Sequence, residues 1–380
     1  DIATNATPDD IKRVFSNYKI IETGIRHNTL TIHLNHKNFE ITTFKGNTIY
    51  EDLLNRDLTI NSLGYNMSLG LIDGNSSLED IQNKLIRVNH IERFYEDPLR
   101  MLRAIRFSAI LNFDIEERTK ALILENYRLL DNVSMERIRD EFLQILTSLN
   151  GSKLIEEYKD VFFYILPELK SLDGFEQNHP YHTMDVFHHT LTVLEHVKKN
   201  KRLCLAALFH DIGKPECHTT MDGIDHFYGH PKVSYEKSKE ILKRLKIDNK
   251  TIDEVSNLIL YHDVPLDSKK TIKKYLNLLG SDFFFNLLAL KRADILGQNP
   301  EYYSRLEKLN EIKLEAQNIL EKEECFTLKK LSIHGEDLLA MGFQGKQVGI
   351  ILNDVFQCVI EESLINDKET ILEYIQRKYK

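Results

Sequence analysis

Ten of the chain's fifteen histidines fall between His179 and His262. Within that stretch stands an adjacent pair, His210-Asp211, followed by Gly213 and Lys214. Imidazole and carboxylate together suit first-row transition metals or magnesium. An adjacent His-Asp pair at a helix position can bring two ligands into one bundle core. Metal held there would activate water for hydrolysis. A second constellation lies earlier in the chain. Asp97, Arg100, Arg103 and Arg106 recur every third residue, which on a helix draws a slowly drifting stripe. Carboxylate acceptors and guanidinium donors can present complementary edges to a nucleobase, and guanidinium binds phosphate. The alternative for this stripe is an amphipathic helix with solvated arginines.

Elements must hold these groups in place. Leu30, Ile32 and Leu34 alternate with polar residues over Thr29–Leu34, and Phe39, Ile41 and Thr43 alternate again after Asn35-His36-Lys37-Asn38. This predicts two antiparallel strands joined by a turn, with Glu40 on the face opposite Ile41. From about Glu92 the apolar spacing becomes three and four residues, as in Pro98–Leu111 and Met135–Leu146, which predicts helices. Leu99, Leu102 and Ile105 give the first of these its apolar stripe. Pro98 suits its first turn, and Asp97 its N-cap. Little strand signal follows. The fold class is therefore α+β, a small mixed head followed by a long helical body. Joints near Ile91, Asn150-Gly151 and Asn299-Pro300 divide the chain into 1–91, 92–150, 151–299 and 300–380. The charged stretch Ile312–Glu324 reads as a helix linking two units.

A length of 380 residues suggests two to four such units. The formal net charge of −8 argues against nucleic-acid binding over the whole surface and leaves local patches open. Lys269, Lys270, Lys273 and Lys274 form one candidate patch, and Lys329, Lys330 and Lys346 another. The longest apolar runs, such as Leu203–Phe209, are far too short to cross a bilayer. No signal-peptide pattern is present, and no membrane association is implied. The four cysteines form no C-x-x-C pair, so a reducing, cytoplasmic setting is expected.

Several runs carry a family resemblance. Asp1-Ile2-Ala3-Thr4-Asn5-Ala6-Thr7 is similar to the end of the D-x-D-I-A-T-N-A-T motif of class II tRNA nucleotidyltransferases, which include CCA-adding enzymes and bacterial poly(A) polymerases. Arg56-Asp57-Leu58-Thr59-Ile60-Asn61 resembles the family's R-R-D-F-T-I-N motif, with Asn55 in place of the first arginine. The run Glu96–Phe107 resembles E-D-x-x-R-x-x-R-A-x-R-F, and Glu136–Glu141 resembles E-R-I-R-x-E. For the latter, short-range helix salt bridges are the alternative. Ile333–Leu338, Gly342, Gly345 and Val348-Gly349 resemble the family's C-terminal segment.

The resemblance implies a nucleotidyltransferase head that holds magnesium for attack of a ribose hydroxyl on an α-phosphate. Asp1 is then the second aspartate of the metal pair and Glu40 a third carboxylate. The first aspartate and a Gly-Gly turn would precede Asp1, so the head is read as N-terminally incomplete. Arg56 would contact the triphosphate, and Asp57 the ribose or a buttressing group. Asp97 and Arg100 would read the base edge, and Arg103 and Arg106 would reach the triphosphate. The implied partners are a tRNA 3′ end, CTP and ATP, with no protein partner. Only Lys45–Tyr50 separate Phe44 from Glu51. Family members with this loop shortened add two cytidines without the adenosine, so CC addition is an alternative to CCA addition. Poly(A) addition is a third.

The order His189, His210-Asp211, His230, His262, Asp294 resembles HD phosphohydrolases with five or six ligands, and implies an HD helical bundle within 151–299. These six residues are the implied metal ligands, for manganese, nickel, magnesium or iron. His188 is an alternative to His189. His179, His182, His196, His218 and His226 are read as non-ligands. The implied activity is a phosphatase or 2′,3′-cyclic phosphodiesterase, with Lys214 as a catalytic group. The competing readings are an HD enzyme whose head only binds tRNA, and a bundle that holds no metal.

Overall fold

The computed structural model describes residues 2–22, 24, 28–322, 324 and 326–380. By backbone contacts the chain forms two units, Asp1–Ile165 and Leu166–Lys380. The fold is mixed α+β, with small sheets and a largely helical body. The finer four-part division drawn from the sequence remains a proposal.

The first unit opens with β1 (Ile2–Thr4), α1 (Pro8–Val14), β2 (Lys19–Ile21), β3 (Thr29–Leu34) and β4 (Lys37–Thr43). They form a sheet of order β1-β4-β3-β2. Strands β3 and β4 pair antiparallel as expected, with Thr31 opposite Glu40, and β1 joins β4 in parallel with Ile2 opposite Ile41. The turn is tighter than the sequence suggested. Asn35 and His36 alone make it, both at positive φ, the conformation that two-residue hairpins require. Leu30, Ile32, Ile41 and Ile11 bury one face of this sheet against α1, which Thr7 and Asp10 close with a reciprocal capping box.

The chain continues through α2 (Ile49–Leu54), the hairpin β5 (Leu63–Asn66) and β6 (Gly70–Asp73), α3 (Ser77–Gln82), β7 (Leu85–Ile86) and α4 (Glu92–Glu96). Then come α5 (Leu99–Leu111), β8 (Asp114–Ile115), α6 (Glu117–Asn126), α7 (Met135–Leu146), α8 (Gly151–Glu157) and α9 (Lys159–Ile165). Helix α5 packs on α7, burying Met101, Leu102 and Ile105 against a face that carries Ile138, Phe142 and Ile145. Asp97 is extended and stands next to the N-cap position of α5, which Pro98 occupies, and its Oδ1 accepts from the Leu99 amide at 3.3 Å.

The second unit is built from α10 (Val186–His196), α11 (Lys201–Phe209), α12 (His230–Arg244), α13 (Asn249–Tyr261), α14 (Lys269–Leu279) and α15 (Ser281–Leu296). Helices α16 (Arg305–Glu321), α17 (Gly335–Ala340), α18 (Lys346–Ile360) and α19 (Lys368–Tyr379) follow. Helix α10 packs on α11 and α15, and α13 packs on α11, α12 and α15. The last three helices enclose their own apolar cluster of Leu338, Val355, Phe356, Ile371 and Ile375. Some strand does return after Glu92. β8 pairs with β7, and β9 (Thr219–Met221) pairs with β10 (Ile224–His226) across Asp222-Gly223. Both turn residues have positive φ, and Asp-Gly is a strong short-range hairpin signal that the period-based reading passed over. Among the described residues, no helix is long and apolar enough to cross a membrane.

Candidate functional site

Two constellations stand out, one in each unit. In the first, the stripe on α5 is present, and each of its charged groups is tied to a group of opposite charge. Arg103 Nε donates to Asp57 Oδ2 at 2.7 Å. Asp57 is buried and also accepts from Leu58 N and Asn61 Nδ2. Burial alone would raise its carboxyl, but Arg103 overrides this and holds it below the usual range. Arg106 Nε donates to Glu141 Oε2 at 2.5 Å, and Arg103 lies 3.9 Å from the same carboxylate. Arg137 grips Asp97 with both Nη atoms, at 3.2 and 2.7 Å. Arg100 donates to Arg93 O and Glu96 Oε2. Arg137 and Glu141 therefore reach across to Asp97 and α5 rather than pairing along their own helix. A short-range pair is also present in this segment, between Arg139 and its neighbour Asp140.

The remaining head residues are less gathered. Arg56 pairs with Asp52 at 2.8 Å. Glu40 is exposed at mid-strand on β4, and Asp1 lies outside the described residues. Arg103 keeps 34 % of its side chain exposed against 13 % for Arg106. Of the two, Arg103 is the better placed to receive an anion.

In the second unit the geometry converges. His189 comes from α10, His210-Asp211 directly follow α11, His230 opens α12, His262 directly follows α13 and Asp294 lies on α15. Gly229, at φ +81°, sets the left-handed step into α12 that only glycine takes without strain. Gly213 lets the His-Asp loop touch α12: a Cβ there would lie 2.7 Å from the Ser234 amide nitrogen. The six side chains fall into two groups whose candidate ligand atoms lie within 4.8 Å of one another: His189, His210, Asp294 and Asp211, His230, His262. Asp211 joins them, with Oδ2 3.1 Å from His210 Nε2 and Oδ1 3.3 Å from His230 Nε2.

The hydrogen bonds fix the tautomers. His189, His210, His230 and His262 each place Nδ1 2.7–3.0 Å from a backbone carbonyl, those of Gly297, Ala207, Phe227 and Ile259. A carbonyl only accepts, so each Nδ1 carries a proton, and in a neutral ring Nε2 is then left as the acceptor. Yet Nε2 of His189 faces Nε2 of His210 at 3.4 Å, and those of His230 and His262 face each other at 3.2 Å. Asp211 Oδ2 is buried and lies 3.1 Å from His210 Nε2 and 2.7 Å from the Lys214 ammonium. Lone pairs thus point at lone pairs in a buried site, an arrangement that demands positive charge between them. Burial alone would lower His210, but Asp211 beside it raises it. Burial alone would raise Asp211, yet His210 and Lys214 hold it well below the usual range. Divalent cations fit this donor set, and the backbone carbonyls act as the outer shell that orients ligating imidazoles.

Lys214 Nζ lies 2.7 Å from Asp211 Oδ2 and donates to Gln177 Oε1 at 2.7 Å. Gln177 was not singled out in the sequence, since no spacing rule points to a lone glutamine. His188 sits apart from the centre, on the α10 cap residue Asp185 at 2.7 Å; His189 is the one that faces inward. His182 stacks edge-on to His189 with Nδ1 buried and unpartnered. Burial, then Lys214 and His189, push it down to about 3. Three of the four lysines in the α14 cluster are paired with glutamates, and Lys274 is exposed. Lys269 and Lys273 each lie 2.9 Å from Glu324, and Lys270 pairs with Glu361.

Three family descriptions match the chain in order. "Poly A polymerase head domain" covers residues 1–87, the RNA and SrmB-binding site of polymerase A covers 112–172, and tRNA nucleotidyltransferase domain 2 covers 222–375. The chain is 29 % identical to the CCA-adding enzyme of Ligilactobacillus salivarius, over 98 % of this chain and 86 % of that relative. With the CCA-adding enzyme of Lactobacillus delbrueckii subsp. bulgaricus it is 36 % identical over 176 residues, a match that spans 44 % of that relative's length. Among solved structures, the CCA-adding enzyme of Bacillus stearothermophilus in complex with CTP superposes with TM-score 0.66 at 21 % identity, covering 99 % of this chain and 87 % of that one. The Thermotoga maritima CCA-adding enzyme complexed with tRNA-CCA gives 0.59 at 22 %, covering 100 % and 85 %. These two share the fold. The class is that of nucleotidyltransferases with a poly(A)-polymerase head. Within it, the chain is similar over nearly its whole length to the class II tRNA nucleotidyltransferases, which contain the CCA-adding enzymes.

Proposed function

We propose that this protein adds cytidine, cytidine and adenosine from CTP and ATP to tRNA 3′ ends, and that its second unit is an HD-type phosphohydrolase acting on phosphate esters. That similarity, with the linked Asp57–Arg103 pair, supports the first part. In this reading Arg137 holds Asp97 rigid, so that its carboxylate and Arg100 meet the base edge in one orientation. Asp57 aims Arg103 at the triphosphate, Arg56 contributes from the end of α2, and Arg106 braces α7 through Glu141. Asp1 and Glu40 are the carboxylates proposed for magnesium. Addition of two cytidines only is a second reading, favoured by the loop before α2. That loop is short and closed, with Lys45 N on Asp52 Oδ1 and Asn47 N on Glu51 Oε2. Extension of a tRNA ending before CCA, resolved at single-nucleotide length with magnesium, CTP and ATP, separates the readings. A stop after two additions selects CC addition, a third selects CCA addition, and long adenosine tails on any RNA select poly(A) addition. No extension under any of these conditions refutes the transferase.

The phosphohydrolase part rests on the six convergent acceptors. Bound manganese, nickel, magnesium or iron would supply a polarised water and an electrophilic hold on the phosphate. Asp211 would serve both ions, and Lys214 would oppose negative charge building on phosphate oxygens. On a 2′,3′-cyclic phosphate, water adds to phosphorus as one ring P–O bond breaks and that oxygen takes a proton. A second hydrolysis releases inorganic phosphate and leaves both hydroxyls, one of which the transferase needs. Offering 2′,3′-cyclic nucleotides with each metal tests this. Hydrolysis by wild type that persists in His210→Ala with Asp211→Ala would place the activity elsewhere.

A further inference from the structure

A cavity of about 400 Å³ opens beside the six-ligand centre. His262 and Asp294 line it, so its inner end is the centre itself. Outward, its wall carries three cations, Lys291 on α15 and Arg305 and Lys308 on α16. Lys291 stands one turn before Asp294 on the same helix, so their Cβ atoms are about 5–6 Å apart. Among the described residues Lys291 has no ion-pair or hydrogen-bond partner, although it is only partly exposed. A half-buried ammonium without a partner is costly unless a ligand supplies one. Arg305 lies 5.2 Å over the Tyr181 ring and spends one donor on Gln298 Oε1 at 2.6 Å. A guanidinium has five donors, which leaves others for the cavity. Asp263 and Asp267 share the wall; neither makes an ion pair with the three cations, and Asp263 and Asp294 act on the Lys291 ammonium only from beyond contact range.

Tyr181 and Arg305 also line the roughly 290 Å³ cleft over the centre, together with Lys214 and His182. The two hollows therefore form one groove that passes Asp294. One end holds the donor set for a reacting phosphate, and the other holds cations, of which Lys291 stands one helical turn from Asp294. We propose that the Lys291–Arg305–Lys308 cavity is an anion subsite for the phosphodiester on the 5′ side of the terminal nucleotide. The centre is thereby specific for the ends of RNA chains over free mononucleotides. This rests on the phosphohydrolase reading of the centre. Lysine supplies a point charge and arginine a fork, both matched to phosphate.

Two measurements test it. In the first, adenosine 3′,5′-bisphosphate and adenosine 3′-monophosphate are titrated calorimetrically into the full chain, with and without manganese. The bisphosphate binds at least about tenfold tighter, a difference of about 1.4 kcal/mol. Lys291→Met collapses the ratio towards one, Lys291→Arg retains it, and the exposed Lys308→Met lowers it partway, so a folding defect at one position leaves the test intact. In the second, a dinucleotide ending in a 2′,3′-cyclic phosphate is compared with the cyclic mononucleotide. Wild type shows the lower KM for the dinucleotide, and Lys291→Met raises that KM alone with kcat unchanged. A wild-type binding ratio near one, or a ratio that survives both methionine variants, overturns the subsite. Hydrolysis of the mononucleotide in that case leaves the phosphohydrolase standing. A bisphosphate preference without hydrolysis of either substrate refutes the phosphohydrolase and keeps the anion subsite.

Discussion

Replacing Gly297 by alanine perturbs the proposed metal centre without replacing any of its proposed ligands. Gly297 follows α15 with φ −82° and ψ −4°, a conformation open to any residue, so the added methyl brings no backbone strain. Its Cβ would lie 3.0 Å from His189 Nδ1, 3.1 Å from His189 Cε1 and 3.0 Å from Val193 Cγ2. Relaxed contacts between carbon atoms are about 3.5–4.0 Å, so the ring and the valine must each retreat by roughly half an ångström. His189 is fully buried and has no empty side to move into. Overpacking of this kind costs about 1–3 kcal/mol, offset by about 0.4–1 kcal/mol from the stiffer unfolded chain. The melting temperature should fall by a few degrees. The larger effect falls on metal binding, because the same shift disturbs the 3.0 Å bond from His189 Nδ1 to Gly297 O. Loss of such an orienting partner costs about 10–100-fold in affinity. Competition against a chelating indicator should show one weakened ion, bound by His189, His210 and Asp294, and one nearly unchanged. Two ions bound as tightly as in wild type would refute the reasoning.

Asp57→Asn should destabilise the first unit by about 1–2 kcal/mol at neutral pH, since Arg103 loses its closest carboxylate but keeps solvent and Glu141. The folded-state carboxyl lies below its ordinary value of 3.8. Its stabilisation is therefore complete above that value and lost as pH falls through the lower folded value. Denaturant melts should show the gap between variant and wild type narrowing only below about pH 4; a constant gap down to pH 2 would count against the pair. Lys269→Ala with Lys270→Ala should leave the salt dependence of tRNA binding unchanged, because glutamates already hold both lysines. A slope shallower by about 0.7–0.9 per lysine would show that they contact phosphates after all.

The parts of the fold legible in the sequence were those governed by local period. Helix α7 runs from Met135 to Leu146 as its apolar spacing predicts, and β3 and β4 pair in the expected sense. The short elements were less visible. The β9–β10 hairpin has three-residue strands whose pairing depends on Asp222-Gly223 rather than on alternation. At the centre, the order of histidines and aspartates anticipated which side chains meet, because helix ends at Phe209, His230 and Tyr261 deliver them to one place. What the order could not carry was the partner chemistry. The carbonyls that fix four tautomers belong to backbone, and Gln177 becomes relevant only once Lys214 is buried beside it. The neck illustrates the same limit. An every-third arginine stripe looks solvated or ligand-ready on paper, but Asp57, 46 residues before Arg103, and Glu141, 35 residues after Arg106, tie it down through tertiary contact.

The central claim is that one chain carries two chemistries that meet on the same RNA end. It is tested most directly with a tRNA ending before CCA, prepared with either a terminal 2′,3′-cyclic phosphate or free hydroxyls. Both are offered to wild type and to Asp211→Asn with CTP, ATP, magnesium and manganese. Wild type should extend both ends, and Asp211→Asn only the hydroxyl end, at an unchanged rate. Extension of the blocked end by Asp211→Asn as fast as by wild type, or failure of wild type to extend it while extending the open one, would contradict the account.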